Sequence, residues 1–261
     1  METASRGGMR LKTSGSSGAA QVVVKTLAQM QAEAQALTAL LPFAQSGAVA
    51  LGSVSPQHLY GFTFRFAVPL SAGWPLARAQ YVYPETLLAA TAAHKGVVWI
   101  SSPALLGRMG EARNWAAVRP KLRGILSAGG ALPAATSDLL ALHAVMPFEI
   151  YGSTETGVMA SRQGSGAWQP LPNVQIGQNE AGALWAESPW SSGRQHGESS
   201  VSPTISIGPR TAGAWARRSI AAAAMSMSSV FVLGNALRLL DAPDVLISEQ
   251  AFAELLEQSS S

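Results

Sequence analysis

The stretch Tyr151-Gly-Ser-Thr-Glu-Thr-Gly157 sets an aromatic ring before two glycines that enclose hydroxyls and a single carboxylate, directly after an apolar segment. A ring beside a glycine can stack on a purine face. Thr154 offers a hydroxyl to a phosphate. Glu155 can hold Mg²⁺, an ion that prefers a carboxylate plus phosphate oxygens to an all-protein cage. The same residues could also form a polar turn with a capping carboxylate, a reading that leaves their order unexplained.

Two other stretches carry compatible chemistry. In Thr13-Ser-Gly-Ser-Ser-Gly18 the glycines let the backbone turn its N–H groups inward, and the hydroxyls add donors, which is how a loop cradles phosphate oxygens. Taken alone, a Ser/Gly run near an N-terminus is also the composition of a flexible linker. In Ser127-Ala-Gly-Gly-Ala-Leu-Pro133 small residues let a flat ligand lie against backbone; it is also an ordinary strand-to-helix turn with proline at the first helical position.

The surrounding pattern predicts the elements that must position these loops. Gln21-Val-Val-Val24 reads as a strand leading into a helix from Leu27 to Leu41, where Leu27, Met30, Ala34, Leu37 and Leu41 recur at helical spacing. Pro84-Glu85 opens a helix to Ala93. Val97–Ile100, Leu122–Leu126 and Phe148–Ile150 read as strands, Ser101-Ser-Pro103 starts a short helix, and Pro133 opens another to His143. Alternating strand and helix is the signature of an α/β sheet, in which ligands sit at the carboxyl ends of the strands. The second and third loops follow strands in this way.

Composition narrows the function classes. Charged residues make up 13% of the 261 and the net charge is +3. The basic residues are scattered apart from Arg217-Arg218, so no patch suggests a nucleic-acid partner. The absence of cysteine excludes disulfides and thiolate metal sites and fits a reducing compartment. The opening METASRGGMR lacks a secretory signal's apolar core. Residues 219–237 carry no charge, but their serines, glycine and asparagine dilute them below a membrane span. A cytoplasmic protein is expected. His94, His143 and His196 show no ligand spacing, and Ser16 and Ser17 lack a visible base for a serine hydrolase.

Together the three loops resemble the adenylate-forming (AMP-binding) superfamily, which includes acyl-CoA synthetases, aryl-acid ligases and luciferase-like enzymes. Gln57-His-Leu-Tyr-Gly61 falls where that family has an aromatic or His-containing acyl-pocket motif. The finer likeness, from Ser-Pro-Gln-His-Leu-Tyr-Gly-Phe and Trp168…Pro170-Leu-Pro-Asn-Val174, is to the AMP-ligases of aryl polyene pigment clusters. The resemblance implies an α/β fold, an incomplete large domain of mixed sheets flanked by helices, followed by a non-matching tail. It implies that Thr13, Ser14, Gly15, Ser16, Ser17 and Gly18 hold phosphates. Ser127, Ala128, Gly129, Gly130 and Ala131 would lie along adenine, and Tyr151, Gly152 and Ser153 would complete the nucleotide site. Thr154 would contact the α-phosphate, Glu155 would bind Mg²⁺, and His58 would sit near the carboxylate being activated. ATP, Mg²⁺, a small carboxylic acid, and CoA or an acyl carrier protein thiol are the implied cofactors and partners.

Departures accompany the match. The likeness runs from about residue 11 to Trp190, after an unstructured start over 1–10. The family's proline and lysine after the last loop glycine are replaced by Ala20-Gln21, leaving Lys25 as the nearest ammonium. No Asp occurs between Asp138 and Asp241 to match the family's ribose-binding aspartate, and Lys121 is the last lysine. Both losses point to a truncated, inactive relative that acts as a binding module or survives as a gene remnant. Residues 191–261 turn rich in serine, with an alanine run at 221–224, and read as a frame-shifted tail. Translating the gene's other two frames from residue 191 should then yield, in one of them, a Gly-Asp pair within a few tens of codons, followed by a Gly-Arg pair and a lysine-containing segment. If neither frame does so, the frame-shift reading is wrong.

Overall fold

The computed structural model describes residues 8–13, 21–178, 184–196 and 246–247. Strands β1 (Gly8–Thr13) and β2 (Gln21–Thr26) pair antiparallel, from Gly8 opposite Thr26 to Thr13 opposite Gln21. They flank the Ser/Gly loop, whose residues 14–20 lie outside the described residues. Residues 8–10 are therefore not an unstructured start, because their backbone groups are taken up by β2. Apolar alternation in β2 would bury Val22 and Val24. The chain exposes both and buries Lys25 instead.

Helix α1 (Leu27–Leu40) begins where Thr26 closes a capping box with Gln29, donating its N–H to Gln29 Oε1 at 2.9 Å and accepting the Gln29 N–H at 3.2 Å. Met30, Glu33, Ala34 and Leu37 face inward, whereas Leu27 on the first turn is exposed.

Strand β3 (Val49–Gly52) leads to α2 (Leu59–Phe62), which runs through a widened π-type turn at Thr63–Ala67 into α3 (Val68–Ala72). There follow β4 (Leu76–Gln80), α4 (Pro84–Ala93), β5 (Val97–Ser101), α5 (Pro103–Leu106), α6 (Trp115–Val118), β6 (Leu122–Ser127) and α7 (Ala134–His143). Pro133 is the cap of α7 rather than its first residue. Strand β7 (Phe148–Ser153) turns back into β8 (Gly157–Gln163), followed by β9 (Gln169–Pro170), β10 (Gln175–Gln178), β11 (Leu184–Glu187), β12 (Gln195–His196) and β13 (Leu246–Ile247).

The main sheet has the order β13-β4-β3-β5-β6-β7-β8-β9, parallel from β4 through β7 and antiparallel at both flanks. Its central strand β5 is buried on both faces, as parallel strands covered by helices are. Val98 and Ile100 join the core with Leu37, Phe64 and Trp190, and Val97 and Trp99 join the opposite core with Leu87 and Trp115. A smaller sheet, β10-β11-β12, continues beyond residue 190, and Ser191 is buried. The rest of the serine-rich tail lies outside the described residues apart from β13, as does the charge-free stretch 219–237. Among the described residues no helix is long and apolar enough to cross a membrane.

Candidate nucleotide site

Four connections leave the same edge of the sheet, at the carboxyl ends of β3, β5, β6 and β7. After β3 the chain reaches His58, which occupies the cap position of α2 without a side-chain capping bond. Two residues on, the Tyr60 hydroxyl donates to the Ser101 carbonyl at the end of β5, at 2.8 Å. Burial raises the Tyr60 phenol pKa well above its ordinary value, so it stays a neutral donor. Arg65 braces this connection from behind. Its buried guanidinium donates to the carbonyls of Val54 at 2.9 Å and Ala79 at 2.8 Å, and burial brings its pKa down to about 10. Gly52 leaves the room, since a Cβ there would lie 2.2 Å from Arg65 Nε.

At the end of β6, Ser127 is buried and its hydroxyl has no hydrogen-bond partner. Ala128 is buried, and Gly129 turns the chain at φ +86° with open space around it. A strand that ends in a bare backbone turn offers a flat surface to a ring.

The third stretch is a hairpin turn. Strand β7 does not stop before it but runs through Tyr151, Gly152 and Ser153, which pair with Ala160, Val158 and Gly157 of β8. The antiparallel partner supplies the ladder bonds that extend the strand. Gly152 is required because a Cβ would lie 2.2 Å from the Gly157 carbonyl oxygen. Ser153 and Thr156 close the turn together: the Ser153 N–H donates to Thr156 Oγ1 at 3.0 Å, and the Thr156 N–H donates to Ser153 Oγ at 3.2 Å. The Ser153 hydroxyl, expected to serve a nucleotide, is thus engaged within the turn. Thr154 and Glu155 form the tip, both half-buried. Tyr151 packs obliquely on Trp168 with ring centroids 5.6 Å apart, and the Arg162 guanidinium lies 4.6 Å from the same indole. Arg162 is fixed by two bonds of 2.9 Å to the buried Glu149 carboxylate.

The far side of the turn is built from residues whose roles the sequence did not disclose. Lys25 is 1% exposed and donates to the carbonyls of Glu155 at 3.1 Å and Trp190 at 2.8 Å. The ammonium expected to be nearest a phosphate is therefore spent on backbone. Glu33, also 1% exposed, accepts the Val158 N–H on Oε1 at 2.6 Å, while Oε2 has no partner. The Trp190 indole N–H donates to the Val158 carbonyl at 3.0 Å, and the Ser188 hydroxyl donates to the Thr156 carbonyl at 3.3 Å. One signal for Glu33 lay in the sequence: it sits on the apolar stripe Met30-Ala34-Leu37, where a carboxylate needs a reason.

A family model described as AMP-binding enzyme matches residues 12–181. The chain belongs to the AMP-binding enzyme family. It is 33% identical over 160 residues to 4-coumarate–CoA ligase from Rhodobacter capsulatus, an alignment covering 60% of this chain and 40% of that protein. Its fold is similar to that of a benzoate CoA ligase from Burkholderia xenovorans (TM-score 0.59, 21% identity) and of ATP-bound MatB from Rhodopseudomonas palustris (TM-score 0.59, 18% identity). Each covers 70% of this chain, and the chain covers 40% and 39% of theirs. It thus spans about two fifths of the relatives' length. Within the AMP-binding match lie β2, the β6 turn and the Tyr151–Gly157 turn, whereas most of β1 precedes it and Ser188 and Trp190 lie beyond it.

Burial sets opposite pH signatures on the two inner charges. It raises Glu33, against the pull of the Val158 N–H and Lys25, and lowers Lys25, against the pull of Glu33 and Glu155. A carboxyl with a raised folded pKa binds its proton more tightly when folded, so its contribution is fullest below the ordinary value of 4.5 and is lost as pH rises through the folded value. The lysine acts the other way, adding stability as pH rises from its lowered value towards 10.5. Wild type should therefore lose stability relative to Glu33→Gln as pH climbs from about 4.5. Urea unfolding of both proteins at a series of pH values checks this; a constant difference would refute it.

Proposed function

We propose that this chain carries the nucleotide-binding part of an ATP-dependent carboxylic acid ligase. In the full reaction a carboxylate oxygen of the acid attacks the α-phosphorus of ATP, giving an acyl-adenylate and pyrophosphate. A thiol sulfur of CoA or an acyl carrier protein then attacks the acyl carbon, giving a thioester and AMP. An aryl or medium-chain acid is the substrate class, as in the AMP-ligases of aryl polyene clusters. The observation that carries this reading is the meeting of the Ser127–Ala131 turn and the Tyr151–Glu155 turn at one sheet edge, in a chain of the AMP-binding family.

Each residue then has a task. Tyr151, steadied by Trp168, stacks on adenine, and Ser127 to Ala131 lie along its other side. Thr13 to Gly18 hold phosphates, Thr154 donates to the α-phosphate, and His58 orients the acid's carboxylate. Glu155 fits a single-carboxylate Mg²⁺ site: no hydrogen bond or ion pair among the described residues occupies its side chain. No described group of three or more His, Asp or Glu could form a protein cage either, so the other ligands would come from phosphate and water. Bound there, Mg²⁺ would offset phosphate charge and polarise the α-phosphate.

A second reading has its own support. This chain has no Asp between Asp138 and Asp241, and Lys25 is committed to two carbonyls. Without a cation at the transferring phosphate and a ribose anchor, binding can outlast catalysis. The 261-residue chain is expected to bind Mg²⁺–ATP without sustaining acid-dependent exchange of labelled pyrophosphate into ATP. Tyr151→Ala should weaken binding by about 1 kcal/mol, and Glu155→Gln should remove only the Mg²⁺-dependent part. Calorimetry in which neither substitution changes ATP binding would dismiss the site. Exchange well above a no-enzyme control would dismiss the inactive reading.

A further inference from the structure

We infer that Lys25 and Glu33 are positioning residues, which grip the backbone of the Glu155–Val158 segment from its buried side and so fix the carboxylate that meets the divalent cation. The inference rests on the reading of Glu155 as the cation ligand.

Two buried charges of opposite sign on β2 and α1 would ordinarily be expected to pair. They form no ion pair with each other among the described residues. Each is directed at a backbone group of the same short turn instead: Lys25 at the Glu155 carbonyl, Glu33 at the Val158 N–H. Ser188 takes the Thr156 carbonyl, and the Trp190 indole takes the Val158 carbonyl. Lys25 also holds the Trp190 carbonyl, so the segment that supplies two of the clamps is itself tied down. Between Glu155 and Val158, four backbone polar groups are thus satisfied by side chains from three separate segments.

Packing alone would not call for this. A buried site is filled at lower cost by apolar side chains than by charges that must be desolvated. Charges aimed at individual carbonyl and amide groups define the orientation of those groups: Lys25 fixes the peptide unit that follows Glu155, and Glu33 fixes the one that enters Val158, three residues on. Holding the Glu155 carbonyl fixes the backbone from which its side chain projects, and that favours a cation site needing the carboxylate in one place. Gly157 completes the device: at φ +67°, a Cβ would fall 2.7 Å from Glu33 Oε1 and 2.5 Å from Trp190 Cδ1. The clamp can close only on a glycine.

The test compares ATP binding with Mg²⁺ and with EDTA, by calorimetry on the full chain, for wild type, Lys25→Met, Glu33→Leu, Glu33→Gln, Ser188→Ala and, as reference, Glu155→Gln. Lys25→Met and Glu33→Leu should cut the Mg²⁺-dependent gain in affinity at least fivefold, towards the level of Glu155→Gln. Their affinity in EDTA should stay within about threefold of wild type, since the adenine-facing residues are untouched. Glu33→Gln keeps an acceptor for the Val158 N–H and should restore most of the gain. Ser188→Ala, the mildest cut, should lower the same quantity by less, and it keeps the test open if Lys25→Met fails to fold. A full Mg²⁺-dependent gain in Glu33→Leu and Ser188→Ala would show the clamp to be packing only, and would overturn the inference while leaving the nucleotide site standing. A wild type with no such gain would remove the cation reading of Glu155, and the inference with it.

Discussion

Replacing Trp190 with alanine is expected to destabilise the protein by about 3–5 kcal/mol, the range for removing a large buried aromatic. The indole is 2% exposed and packs in the core that contains Leu37, Phe64 and Ile100. Its N–H donor to the Val158 carbonyl would be lost with it, leaving that carbonyl without the partner. Trp190→Phe separates the two contributions: it keeps much of the volume and should cost about 1 kcal/mol for the hydrogen bond, plus a smaller packing loss. Urea midpoints for the three proteins, at constant m, read the difference directly. A loss under about 1 kcal/mol in Trp190→Ala would mean that residues 184–196 are not integral to the fold, against the expectation for so buried a side chain.

Gly157→Ala should be nearly as damaging and more specific, costing about 3 kcal/mol and removing the Mg²⁺-dependent gain in nucleotide affinity, because backbone strain and overpacking coincide there. The left-handed φ of +67° is unfavourable for any side chain, and the added Cβ meets both Trp190 and Glu33 below contact distance. Gly129→Ala is the control. Its φ of +86° is also left-handed, but nothing lies within 4 Å of its Cβ, so only the strain remains, about 1–2 kcal/mol. Equal losses at the two positions would show that the clamp around Gly157 can yield, and that the turn is held less firmly than its hydrogen bonds imply.

The two substitutions probe what was hidden in the sequence. The helix from Pro84 and the strands at Val97, Leu122 and Phe148 were legible because their signals are local: a proline at a helix start, and short apolar runs bounded by turn residues. The Tyr151–Gly157 stretch stood out as a candidate site because its residue types suit one ligand chemistry in one order. Strand β1 was missed because its stability comes from β2, across a loop, and an isolated strand of Gly-Met-Arg-Leu-Lys-Thr carries little signal of its own. β2 itself was found, but its buried face could not be assigned. Val22 and Val24 mark the apolar face, yet Lys25 goes inside, because two carbonyls distant in sequence replace the water that its ammonium gives up.

By itself, then, the sequence determined the class of the fold and the order of the central elements, and it marked three stretches whose residue types suit a nucleotide, since each depends on residues adjacent along the chain. Only the tertiary structure decided which side chains hold the third stretch in shape. Lys25 and Glu33 are close in sequence, but Lys25 and Trp190 stand 165 residues apart, and the bonds of these side chains and of Ser188 form only when β2, α1 and the chain before β12 close around one turn. Desolvation makes that closure selective. A buried ammonium or carboxylate is tolerated only where a backbone group stands ready to receive it, and no spacing in the sequence encodes where that group will be.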